Sequence, residues 1–132
     1  MNRDRLLRLA LTADAAACGV MGVGLALPAA LLDGGLDEVL GIPAGWLVAL
    51  GVALIGCAAG LGWLATRRVI EANAGWFVIV GNLVWVAASI VAVVAGVWPL
   101  TVAGTVVVIA QAVAVLALVD LEYLGLRRAA AV

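Results

Sequence analysis

Four long stretches of apolar sequence, each close to the length needed to cross a bilayer, constrain this chain more than any other feature. They run from about Leu9 to Leu27, Trp46 to Ala65, Ala74 to Val97 and Leu100 to Tyr123. A hydrocarbon core about 30 Å thick takes about 20 residues of helix, and in lipid the backbone must satisfy its own hydrogen bonds. The blocks therefore predict an all-α transmembrane four-helix bundle, with residues 1–132 forming a single transmembrane domain. At 67% hydrophobic and 11% charged, the chain is too apolar for a water-soluble fold of 132 residues.

The charges are few but segregated. All seven basic residues are Arg: Arg3, Arg5 and Arg8 precede the first block, Arg67 and Arg68 follow the second, and Arg127 and Arg128 follow the fourth. The intervening loops on the opposite side carry none. By the positive-inside bias this places both termini in the cytoplasm. Trp46 and Trp98 fall at the outer boundary and Trp63, Trp76 and Tyr123 at the inner one, where amphipathic rings prefer to sit. Arg in place of Lys throughout, with abundant Ala, Gly and Val, matches a high-GC bacterial genome and points to the plasma (inner) membrane.

Residues 28–45 form the one sizeable loop and hold Asp33, Asp37 and Glu38. Leu31, Leu32, Leu36, Val39 and Leu40 recur near helical spacing opposite these acids, so the readings are a short interfacial helix or a plain loop. The short Trp98-Pro99 turn makes the third and fourth spans an antiparallel hairpin. Superposing Arg67-Arg68 on Arg127-Arg128 pairs Trp63 with Tyr123, a hint of two tandem helical hairpins. A cleavable signal peptide is the rival reading of the first block. Asp14 within it, and a weak cleavage signal at Pro28-Ala29-Ala30, argue against that.

Polar residues inside the spans need partners or a function. A central Asp costs about 2.5–3.5 kcal/mol on the insertion scale, roughly what the large apolar residues of the first span return, so that span is marginal alone. At helical rise, Asp14 lies about 9 Å beyond Arg8, Asp120 about 10 Å before Arg127 and Asn82 about 13 Å beyond Asn73. Three spans thus place an acid or amide in one cytoplasmic-side layer. It reads as a ligand or proton site, or as interhelical hydrogen bonding and snorkelling towards Arg. In the fourth span Gly104, Gln111 and Glu122 share a face, whereas Asp120 points nearly opposite Gln111. Gln111 lies near mid-bilayer and needs a partner, for which Ser89 and Asn82 are the candidates.

Gly75, Asn82, Ser89 and Gly96 recur every seven residues and form one stripe on the third span, bordered by Trp85. The stripe reads as helix packing, or with Trp85 as the wall of a ligand pocket. Ala15 with Gly19, and Gly56 with Gly60, are further small-residue pairs of the kind that let helices approach in lipid. Cys18 and Cys57 share a depth and are candidates to face one another, though buried thiols are usually inert. There is no His, no CxxC and no ligand spacing for zinc, haem or a cluster, so no metal or cofactor is expected. Nothing points to nucleic acid, and no nucleophile with a base suggests an enzyme.

The runs LLRLALTADAAACGVMGV, NLVWVAASIV and LVDLEYLGLRR resemble uncharacterised small four-span membrane proteins of high-GC bacteria. That resemblance implies the architecture and no activity. A second resemblance, to the small multidrug resistance transporters, rests on four short helices with an acid in the first. It implies that Asp14 is a carboxylate shared between proton and cationic substrate and that Trp63 is an aromatic wall. The chain departs from that family in having Asp14 within DAAACGV and a long acidic connection. Two functions are therefore expected: an accessory, assembly or oligomerising membrane protein acting through helix contacts with its own copies or another membrane subunit, or a small proton-coupled transporter using Asp14.

Overall fold

The computed structural model describes residues 4–32 and 35–130; Arg3 and Asp33 lie outside the described residues. Its elements are α1 (Arg5–Leu31), α2 (Leu36–Leu40), α3 (Ala44–Thr66), α4 (Ala72–Val94) and α5 (Val102–Ala130). Four of these helices are long and apolar enough to cross a membrane. Large apolar side chains cover the outside, with Phe77, Val94 and Val102 at least 80% exposed. A surface of that kind is stable only in lipid. The chain is an all-α, multi-pass membrane protein.

Several helix ends differ from the expected spans for identifiable reasons. α1 starts earlier because Leu7 is buried against α5 and Arg8 pairs with Asp4 at 2.7 Å. It also continues past Pro28, whose carbonyl accepts the amide of Leu32 at 2.9 Å. α4 stops at Val94, short of Val97. Gly96 adopts φ +64° and the amide of Val97 bonds to the carbonyl of Ala92, a Schellman ending that needs a left-handed residue. Gly96 is thus a turn residue and has no place in a packing stripe.

The residues between α1 and α3 form a short helix, as one of the two readings has it, and its last residue is buried against the bundle. Leu40 and Ile42 are buried with Leu47 in a small core that includes Trp98 and Leu100. Thr101 holds the segment by donating its amide to the carbonyl of Leu40 at 3.2 Å and its hydroxyl to that of Val39. A Cβ at Gly104 would stand 1.9 Å from the Leu40 carbonyl oxygen, so only glycine permits this seating.

Helix neighbours run α3, α1, α5, α4. α1 packs against α3 and α5, and α5 against α4, whereas no Cα of α4 comes within 8 Å of one in α1 or α3. α1 and α3 approach most closely at Gly22 and Gly51. A Cβ on Gly22 would lie 2.7 Å from the Gly51 carbonyl, and one on Gly51 2.6 Å from the Ala26 Cβ. Gly125 meets the backbone of Leu7 in the same way, and Gly75 packs beneath Leu126.

Arginines gather at one end. The Arg8 guanidinium donates to the carbonyls of Ala65, Arg67 and Arg68, satisfying the end of α3. Aromatic residues frame both ends: Trp46 lies 5.7 Å from Trp98 at the acidic end, and Trp76 lies 5.9 Å from Tyr123 at the Arg-bearing end. Arg67 and Arg127 stack on Trp63 and Tyr123.

Candidate functional site

The interior holds two polar layers. In the first, Asn82 on α4 donates its side-chain amide to Asp14 Oδ2 on α1 at 2.8 Å and to Glu122 Oε2 on α5 at 3.1 Å. Both acceptors are carboxyl oxygens, so one nitrogen serves both acids. Asp14 is 1% exposed and Glu122 0%. On the same side of α1, Cys18 Sγ lies 3.5 Å from Asp14 Oδ1.

Apolar packing seals this layer at the Arg-bearing end. Leu7, Leu11, Leu61, Ile79, Val119 and Leu126 form one buried cluster around it. No cation joins the acids: Arg8 is committed to Asp4 and the α3 carbonyls, and among the described residues its pair with Asp4 is the one salt bridge. Asp14 thus turns to Asn82 and not to an arginine. Two carboxyl groups that accept from one nitrogen, in a low dielectric and without a cation, repel one another strongly whenever both are charged.

Asp120 does not belong to this layer. It is exposed on the opposite side of α5, and Glu122, one residue beyond Leu121, occupies the inward position. Asp120 points away from Gln111, as its register on the helix implies, and so away from Asp14 and Asn82. Glu122 lies 11 residues from Gln111, about three helical turns, which puts both on the inward face.

The second layer joins α4 to α5. Trp85 Nε1 donates to Gln111 Oε1 at 2.7 Å, and Gln111 Nε2 donates to Ser89 Oγ and to the Val108 carbonyl, both at 2.9 Å. Ser89 returns its hydroxyl to the Trp85 carbonyl at 2.8 Å. Among the described residues no buried side-chain nitrogen or oxygen lacks a partner.

The small residues sort unevenly. Gly75, Asn82 and Ser89 all face α5, the first by packing and the others by hydrogen bonds. Gly19 makes an ordinary contact with Ala58, at 3.6 Å from where its Cβ would stand. Gly56 and Gly60, in contrast, look into open space, so among the described residues a side chain there would meet nothing within 4 Å. The closest approaches fall instead at Gly22, Gly51, Gly104 and Gly125. Gly22 and Ala26 were visible as a small-residue pair, but one among many. Cys18 and Cys57 are both free thiols, and Cys57 is exposed on the outside of α3.

Among known proteins, no family model matches the chain, and no curated protein or solved structure matches it significantly.

Proposed function

We propose that this is a small bacterial inner-membrane protein, with both termini cytoplasmic, that takes up and releases a proton at the Asp14–Glu122 pair while moving a small cationic or lipophilic compound. The sharing of one Asn82 amide by two buried carboxyl groups carries this reading. A purely structural link between α1, α4 and α5 needs only amides or hydroxyls, which are easier to bury than acids. The arginine distribution supports the orientation. The reading assigns no enzymatic step, metal or cofactor.

Proton-linked flux in proteoliposomes tests it, with ethidium and tetraphenylphosphonium as probes. Asp14→Asn should abolish proton coupling while the helical content stays at the wild-type level. A folded Asp14→Asn protein with wild-type proton-linked flux of either probe removes the proposal.

A second reading, an accessory or self-associating membrane protein, is favoured by one observation. Gly56 and Gly60 leave a smooth strip on α3, where a Cβ would meet no neighbour within 4 Å among the described residues. Such strips allow close helix contact in lipid. Crosslinking and native mass spectrometry in mild detergent should then show a dimer or a bound subunit, and a bare monomer under every condition removes this second reading.

A further inference from the structure

The layer of Trp85, Gln111 and Ser89 borders a cavity of about 110 Å³ in the half of the bundle away from the carboxyl pair. Its other walls include Met21 and Leu25 of α1, Leu50 of α3, Ala88 of α4 and Val107 of α5, with Trp98 among the residues at the end. The space is therefore a half-open cleft between the helices, apolar on almost every side.

Its few polar atoms are already committed. The indole N–H goes to Gln111, both amide hydrogens go to Ser89 and Val108, and the serine hydroxyl returns to Trp85. A water molecule needs two to four partners and finds no donor here. In size the cavity approaches the ~150 Å³ apolar cavity that stays dry and accepts benzene in another protein. A polar ligand gains nothing from it; a hydrocarbon fits.

An entrance is present. α3 and α4 have no Cα pair within 8 Å, and side chains close this seam at the Arg-bearing end, where Leu61 and Ile79 belong to one cluster. In the other half the wall passes from Leu50 to Ala88 across that seam, and Ala88 is exposed on the outside. What faces the seam is the bilayer interior, whose alkyl chains match the cavity in chemistry and narrow cross-section.

We propose that the cavity is a hydrocarbon-binding site, filled by the end of a phospholipid acyl chain that enters between α3 and α4 and lodges against Trp85. The site stands independently of Asp14 and Glu122 and of any proton coupling.

The test uses the full chain with Trp85 as its single tryptophan, carrying Trp46→Phe, Trp63→Phe, Trp76→Phe and Trp98→Phe. It is placed in bilayers of phospholipid brominated near the chain ends. Trp85 fluorescence should be quenched, and the quenching should be lost when Ala88→Leu with Leu50→Phe fills the cavity. Met21→Phe fills it from the opposite wall and gives the same loss should the first variant fail to fold, as judged by circular dichroism. Unquenched Trp85, or quenching unchanged in a folded filled variant, overturns the proposal. Quenching by a free bromoalkane but not by the brominated phospholipid overturns the acyl chain as the occupant.

Discussion

Asn82 reaches Asp14 at 2.8 Å across two helices that have no Cα pair within 8 Å. The bond ties α4 to the first span, which carries a buried acid and is the least apolar of the four. Asn82→Leu removes the amide that both Asp14 and Glu122 accept from. A buried group left unsatisfied costs about 1–3 kcal/mol, so unfolding in mixed detergent should shift by at least that amount. A double-mutant cycle on Asn82→Ala and Asp14→Ala should give a coupling above the ~0.6 kcal/mol average for membrane-helix hydrogen bonds. Additive effects would show that the two residues do not interact.

Gly22 and Gly51 set the spacing of α1 and α3. A side chain at Gly51 collides with the Ala26 Cβ and the Gly22 carbonyl, so Gly51→Val should destabilise the bundle by about 1–3 kcal/mol or more. Gly56→Ala, with nothing within 4 Å, should change monomer stability by no more than about 0.5 kcal/mol. Equal effects at the two sites in unfolding titrations would contradict this packing.

Arg8 closes the end of α3 through three carbonyls. Lysine keeps the charge but not the planar fork, so Arg8→Lys should loosen the turn after Thr66 nearly as much as Arg8→Ala. Faster amide hydrogen exchange confined to the end of α3 and residues 67–71 is the expected readout. Wild-type exchange in Arg8→Ala would remove the clamp.

Gly104 seats the cap at the acidic end. Gly104→Ala places a methyl on the Leu40 carbonyl and should displace α2. With Ile42→Cys as a reporter, 5% exposed in the native seating, labelling by a membrane-impermeant maleimide should accelerate strongly in the Gly104→Ala background. An unchanged rate would show that the cap tolerates the methyl.

Span number was legible in the sequence because it follows from the length of the apolar blocks. Direction was harder. Asp120 and Glu122 differ little in depth, and only the shared face of Glu122 and Gln111 separated them; that face proved to be the inward one. The close contacts were less legible still. Among 16 glycines, those that matter are the ones a neighbouring backbone approaches, and this depends on helix order, which local pattern does not contain. The cap was hidden for the same reason, since Leu40 finds its place only once Gly104 and Thr101 are beside it.

Proton uptake and release at the pair, as proposed, requires that Asp14 and Glu122 hold a proton between them inside the bundle. Infrared spectroscopy of the reconstituted protein, with isotope-labelled carboxyl carbons, reads this without any substrate. At neutral pH the wild-type protein should show a carboxylic-acid C=O band that shifts with the label, persists in Asp120→Asn and vanishes when Asp14→Asn is combined with Glu122→Gln. A spectrum with carboxylate bands alone, or an acid band that survives the double substitution, would contradict the account.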